Sequence, residues 1–172
     1  AATSNAVIRI DADGTVKNAY EAWDGDPCST AKSNDVVRAI GGVLDGLDDT
    51  MPNASTVTLV GDHIMIPMGL VTDGNTIGNE NTYDPGVERG KDTSLTAALK
   101  AGYVLTDTPD AASAGYLLKA AELYVPDRAV GRLVEKPTEI TATLLRFVDP
   151  EFAGVLDPNT TTSAFVAGYD FI

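Results

Sequence analysis

The chain has 172 residues, the usual size of one domain, and its 44% hydrophobic and 22% charged residues are ordinary for a globular protein. Its 25 acidic residues outnumber 12 basic ones, which gives a formal net charge of −13. A surface this acidic repels phosphate groups, so we expect no specific nucleic-acid binding. No apolar run approaches the ~18 residues that cross a bilayer, and we expect no membrane span.

The acidity comes mainly from aspartate, because Asp outnumbers Glu 18 to 7. Repulsion between so many carboxylates is screened when salt shortens the Debye length to ~3 Å near 1 M. We therefore expect a salt-loving host, and an ordinary acidic protein is the alternative.

The first third of the chain predicts one strand, one loop and one helix. Ala6–Ile10 is rich in β-branched residues and predicts a strand, and Asp11–Gly14 predicts a hairpin turn after it. Trp23–Ser33 mixes Asp, Gly, Pro and Ser, which indicates a loop. An amphipathic helix follows at about residues 34–48, capped by Ser33 or Asn34. Its apolar face consists of Val36, Val37, Ile40, Val43, Leu44 and Leu47.

The middle of the chain predicts a hairpin and a long loop. Ser55–Val60 and Ile64–Met68 are two apolar runs on either side of a Gly-Asp-His turn. Residues 71–91 are polar and rich in Gly and Asn, and a loop of that length in a compact domain is usually functional or binds a partner. A short helix should then begin at Thr93 or Ser94 and stop at Gly102.

The last third predicts mostly strands. Thr108 could start a helix, but we favour a strand over Tyr116–Val125. Alternation predicts two further strands at 132–136 and 139–148, a helical turn at 149–152 and a final strand over Thr160–Ile172.

Together these elements predict an α+β fold that is mainly β. We expect a β-sandwich or barrel-like sheet with the helix at 34–48 and one or two short helices. Residues 1–172 form a single domain, 71–91 is a long loop, and the termini can extend as arms.

The best candidate for a metal site lies in the long loop. Asp73, Asn75, Asn81 and Asp84 occupy positions one, three, nine and twelve of a pattern that resembles a calcium loop, with Gly78 at position six. Ile77 at position five departs from that pattern. The alternative is a loop of side-chain-capped turns, which Asp and Asn form for backbone reasons alone.

A second candidate is a metal-dependent nuclease of the RNase H type. Asp11, Asp13 and Asp62 come in the order strand, helix, strand and could supply metal-binding carboxylates. The alternative is that all three are turn residues.

Other single residues indicate structure rather than catalysis. His63, the only histidine, is read as a solvated or capping residue, Cys28 as an inert thiol, and Trp23 as a structural anchor. The sequence has no phosphate-binding loop, dinucleotide motif or nucleophile elbow. We therefore expect no enzyme and no cofactor.

One segment resembles a known family. Residues 137–156 resemble a segment of tail-tube proteins of tailed viruses, in which a long E-x-T-x-x-L strand precedes an acidic turn and a short helix. The matching residues are Glu139, Thr141, Thr143, Leu144, Leu145, Asp149, Glu151, Phe152, Ala153 and Leu156. The resemblance implies a β-sandwich or barrel subunit that assembles as stacked rings around a channel.

The sequence and this resemblance together predict a non-enzymatic virion structural protein. We expect a tail-tube subunit, made in the host cytoplasm, that binds itself and other virion proteins through the 71–91 loop and the two terminal segments. A capsid decoration protein is the alternative within this class. The calcium-binding module and the nuclease are alternatives of other classes.

Overall fold

A computed structural model of the protein describes residues 6–75, 77–82, 93–111, 115–118, 121–125, 127–134 and 136–148. The chain divides into two compact units, Ala1–Leu133 and Val134–Ile172. The prediction of a single domain over residues 1–172 stays a prediction. The predicted helical turn at 149–152 and final strand over Thr160–Ile172 lie outside the described residues.

Two helices open the first unit. A 3-10 turn at Ile10–Ala12 leads into α1, Gly14–Asp24, and α2 spans Thr30–Asp45. The Asp13 side chain caps α1 by accepting hydrogen bonds from the amides of Thr15 and Val16. Ser29 caps α2 in the same way. The helix that the apolar stripe predicts is therefore present, but it begins and ends a few residues earlier.

The described strands of this unit form three separate pairs. β1, Thr56–Val60, pairs in parallel with β6, Ala129–Leu133. The other two pairs are antiparallel: β2 (Gly69–Thr72) with β3 (Tyr103–Thr106), and β4 (Gly115–Leu118) with β5 (Ala121–Tyr124). Between them lie a 3-10 turn at Glu80–Thr82, the helix α3 over Ser94–Lys100, and the single turn α4 over Thr108–Ala111.

The hydrophobic core lies between α1, α2 and one face of the parallel pair. Its buried members are Val16, Trp23, Val36, Ile40, Leu59 and Ile66. A polar contact fixes β2 against α2, because the Asn34 side chain accepts a hydrogen bond from the Leu70 amide (2.8 Å) and donates one to the Leu70 carbonyl (2.9 Å). Asn34 thus completes the hydrogen bonding of a buried strand residue, as a neighbouring strand would.

The predicted mainly β architecture is wrong. Helices account for more of the described chain than strands, and each described sheet has two strands, so the fold is α+β without a β-sandwich or barrel. The core forms where the apolar residues of α1 and α2 pack against a small sheet. In a β-sandwich the same sheet face would be covered by a second sheet instead.

Several individual strands are also wrong. Residues 6–9 are not a strand, and Asp13-Gly14 begins a helix rather than turning a hairpin. Ile64–Met68 is a turn, so β1 makes no hairpin with it and pairs instead with β6, far along the chain.

The predicted strand at 139–148 is the helix α5, Pro137–Val148, in the second unit. Proline suits the first helical position, and Thr141 donates a hydrogen bond to the Pro137 carbonyl (2.7 Å). The β-sandwich that the tail-tube resemblance implies is therefore not the fold of this chain.

The short helix predicted to begin at Thr93 or Ser94 and to stop at Gly102 is confirmed. α3 begins after Thr93, whose side chain exchanges hydrogen bonds with Thr96 in a capping box, and it ends before Gly102, whose φ of +77° favours glycine. The single strand favoured over Tyr116–Val125 is wrong as one element: the segment is extended, but it is divided into β4 and β5, which pair antiparallel with each other.

Candidate functional site

One face of the parallel pair is exposed and carries no charge. Along β1 and β6 the side chains alternate, and Val57 and Leu59 of β1 face the core. The residues of the opposite face are Thr56, Thr58, Val60, Ala129, Gly131 and Leu133; Leu133 is half-buried and the other five are exposed. We call this surface the outer face. Parallel sheets are normally covered on both faces, so an exposed one is unusual.

A shaped loop follows β1 at the carboxyl end of the pair. We call it the 61–68 loop, Gly61–Met68. It starts at Gly61, whose φ of +145° favours glycine and whose missing Cβ would lie 3.0 Å from the Met65 Cβ. The Asp62 side chain then accepts hydrogen bonds from the amides of Ile64 (3.1 Å) and Met65 (3.0 Å). The turn is thus closed by its own aspartate.

Arg132 of β6 fixes this loop from the neighbouring strand. Its Nη1 donates to the carbonyls of Gly61 (2.7 Å) and Ile66 (2.9 Å). Its Nε and Nη2 donate to the Asp107 carboxylate at 2.9 and 2.6 Å. The Arg132 side chain is 6% exposed and that of Asp107 is 19% exposed. A buried arginine with a paired charge and two carbonyl acceptors holds the loop at both ends.

His63 holds the end of the loop from inside. Its Nδ1 accepts a hydrogen bond from the Met68 amide (3.0 Å), so the neutral ring carries its proton on Nε2. Nε2 is buried and has no hydrogen-bond partner among the described residues. The imidazole stands edge-on to Trp23, with the ring centroids 6.0 Å apart. Burial, and then the charge of Arg132, lower the pKa of His63, while Asp62 and Asp107 act in the opposite direction.

The 61–68 loop presents apolar side chains to solvent although its backbone is fixed. Ile64 is 74% exposed, Met65 is 64% exposed, and Val60 at the end of β1 is 51% exposed. The Tyr20 hydroxyl of α1 donates to the Met65 carbonyl (2.6 Å) and fixes the turn from a third side. The outer face and the 61–68 loop each expose apolar side chains, and we consider the two together as the candidate surface.

This surface is close to neutral in an acidic protein. The outer face has no ionisable side chain, Arg132 and Asp107 compensate each other, and the lowered pKa of His63 favours its neutral ring at pH 7. Asp62 is the one uncompensated charge in the loop. The chain as a whole carries 13 excess negative charges and repels other acidic proteins. That repulsion is weaker at this surface, because the surface is close to neutral.

The calcium candidates in the long loop serve as turn residues where the structure describes them. The Asp73 side chain accepts from the Asn75 amide (2.8 Å), and the Asn75 side chain accepts from the amides of Ile77 (2.9 Å) and Gly78 (3.3 Å). This is the pattern of successive side-chain-capped turns. Asn81 lies in the 3-10 turn, and Asp84 is outside the described residues. No metal-binding group is found in the described part of the chain.

The nuclease candidates each have a local role. Asp11 accepts a hydrogen bond from Arg9, which lowers the pKa of Asp11. Asp13 caps α1, and Asp62 closes the turn of the 61–68 loop. Each carboxylate has a backbone or ion-pair partner within three residues. Asp62 has the turn role that the sequence offered as the alternative, whereas Asp13 is a helix cap.

Two single-residue interpretations have clear outcomes. Trp23 is a structural anchor as predicted, since it is buried and its Nε1 donates to the Pro27 carbonyl (3.0 Å). His63 has the capping role of the two that the sequence left open: its half-buried ring packs beside Trp23, and its Nδ1 accepts a hydrogen bond from the Met68 amide. Cys28 is exposed.

The residues that sequence reasoning missed are Arg132 and Asp107. The available signal was an arginine in an otherwise apolar strand pattern, since a buried arginine needs an acidic partner. The sequence does not identify that partner, which lies 25 residues away.

Comparison with known proteins identifies no relative. The chain matches no family model, no curated protein and no solved structure. Among the described residues, no helix combines the length and the apolar character needed to cross a bilayer.

Proposed function

We propose that this chain is a non-enzymatic assembly protein that binds a second copy of itself through the outer face and the 61–68 loop. The observation that carries the proposal is the exposed, uncharged face of the β1–β6 pair, together with the exposed Ile64 and Met65 in the loop that follows β1. A virion subunit, in a tail or as a capsid decoration protein, remains the specific role that the sequence predicts for such a protein.

The shape of the surface supports this proposal. A sheet face with small side chains such as Ala129 and Gly131 allows close approach of a partner, and a loop backbone already held by hydrogen bonds loses little entropy on binding. Burying an exposed Val, Ile or Met side chain contributes about 1 to 2 kcal/mol each. A contact of this size gives a dimer of low affinity. Further contacts in a larger assembly would raise that affinity.

The charge of the chain favours binding of a second copy to this surface at high salt. Two chains that each carry 13 excess negative charges repel at low salt, and this repulsion is smallest where the surface is neutral. Salt removes the long-range repulsion and leaves the apolar contact intact or stronger. Self-association should therefore rise with ionic strength, which is the opposite of a complex held by ion pairs.

The test is the mass of the particle measured by light scattering at low and multimolar salt. We expect a monomer at low salt and a dimer or larger particle at high salt. Thr58→Lys places a cation in the centre of the outer face of both copies and should keep the chain monomeric, whereas the matched change Thr58→Val should not. Ile77→Ser removes an apolar side chain that is 97% exposed outside this surface, and should assemble like the unchanged chain.

Two results would contradict the proposal. One is a monomer at every salt concentration. The other is normal assembly of Thr58→Lys, which would place the contact elsewhere on the protein, for example on the 71–91 loop or the terminal segments that the sequence predicts as interfaces.

A further inference from the structure

The protonation state of His63 determines whether its ring can hold the end of the 61–68 loop. In the neutral ring, Nδ1 is the acceptor for the Met68 amide. An imidazolium has two N–H donors and no acceptor. A proton on Nδ1 would therefore face the Met68 N–H directly, and the hydrogen bond that ends the loop would be lost.

We propose that His63 is an acid-sensitive latch of the 61–68 loop: protonation of Nδ1 releases the Met68 amide and opens the loop. The opening is a property of the loop itself, whereas its consequence for assembly rests on the proposed function. Release of the loop would free Ile64 and Met65 from their fixed positions, so acid would weaken the assembly.

The groups around the ring favour release. From β6, Arg132 brings a positive charge that repels an imidazolium, and the ring is partly buried. From α1 the ring meets Trp23, which has no charge. Asp62 in the loop and Asp107 before α4 attract the cation, but Asp107 is paired with Arg132 and Asp62 accepts two backbone amides. Desolvation and Arg132 therefore outweigh the two carboxylates.

The sign of the pH dependence follows from the lowered pKa. Above the pKa of an unfolded histidine, about 6.5, the ring is neutral in the closed and open states and the latch is intact. As the pH falls below that value, the open state takes up the proton first. The closed loop loses stability progressively until the pH reaches the lower pKa of the closed state.

The chain allows a direct test because it contains one histidine and one tryptophan, which are in contact. NMR would follow the His63 ring and the hydrogen exchange of the Met68 amide from about pH 8 to pH 4.5. We expect His63 to titrate below the peptide value and the protection of the Met68 amide to fall by up to about tenfold per pH unit below 6.5. Trp23 fluorescence should change over the same range.

The matched variant is His63→Asn, whose side-chain oxygen can accept from the Met68 amide but cannot be protonated. Its Met68 protection, corrected for intrinsic exchange, should be independent of pH. Protection of Met68 that persists while His63 titrates in the unchanged chain would overturn the latch, and this measurement does not require the variant to fold. The same acid loss in His63→Asn would also overturn it.

Light scattering separates the latch from the proposed function. If the loop opens in acid and the particle mass at high salt falls with it, both proposals are supported. If the loop opens while the mass is unchanged, the latch stands and the assembly surface is wrong.

Discussion

Replacement of Arg132 by methionine tests how the 61–68 loop is held. Methionine keeps an unbranched apolar stem and removes every donor. The Asp107 carboxylate, 19% exposed, loses its charge partner, and the carbonyls of Gly61 and Ile66 lose their hydrogen bonds. Breaking a buried pair by removing one partner costs about 3 to 5 kcal/mol, and the partial exposure of Asp107 favours the lower end. We expect a loss of about 3 kcal/mol.

Two further variants divide this loss into its parts. Asp107→Leu combined with Arg132→Met removes the uncompensated charge and should recover about 1 to 2 kcal/mol, but not the cost of the two carbonyls left without a donor. Arg132→Lys keeps the charge without the fork that reaches Asp107 and the loop together, so it should lose about 1 to 2 kcal/mol.

The assay is equilibrium unfolding in urea, with hydrogen exchange of the Met65 and Ile66 amides as a local measure of the loop. Arg38→Met is the control, because Arg38 pairs with Asp35 on the exposed side of α2, and its loss should cost less than about 0.5 kcal/mol. A loss below about 1 kcal/mol in Arg132→Met, or full recovery in the double variant, would refute the role given to the two carbonyls.

Two more stability predictions concern β2, each measured by thermal unfolding. Asn34→Ala removes both hydrogen bonds to the buried strand and should cost about 1 to 3 kcal/mol, whereas Asn18→Ala on the exposed side of α1 should be neutral or slightly stabilising. Gly69→Ala should cost about 1 to 3 kcal/mol, because the new Cβ would lie 2.5 Å from the Pro109 Cγ. Gly131→Ala, at a strand position with open space, should be tolerated, and equal losses at the two glycines would contradict the predicted clash.

Helices with a clear apolar stripe and a standard cap could be predicted from the sequence. The face of α2 and the capping residue Thr93 of α3 follow from spacing and residue type alone. α1 was predictable in principle, since Val16, Ala19, Tyr20 and Trp23 share one helical face. Asp-Gly favours a hairpin turn, but Asp is also a favoured helix N-cap, and the hairpin prediction is wrong there.

The interpretation of α5 failed for a related reason. Its β-branched residues and local alternation favour a strand. Ile140 and Leu144 are spaced by four, however, and Pro137 at the start suits a helix. Over the twelve residues of α5, the spacing of four and the proline at the first position both indicate a helix.

The candidate site could not be predicted, because its contacts join distant parts of the chain. Arg132 meets Gly61, Ile66 and Asp107 only after β6 has paired with β1. Neither the pairing nor its parallel direction is visible in the local pattern of either strand, since a short apolar run fits several partners. The exposure of the outer face depends on the same pairing.

The distance in sequence between β1 and β6 also bears on how the protein is made. Because Thr56 pairs with Ala129, a ribosome that adds about 5 to 20 residues per second needs roughly 4 to 15 s to deliver the partner strand after β1 has been synthesised. During that interval β1, which has no charged residue, is a nascent strand with open backbone groups. Slower translation between these two strands should increase aggregation of the newborn chain, and a chaperone that shields β1 should reduce it.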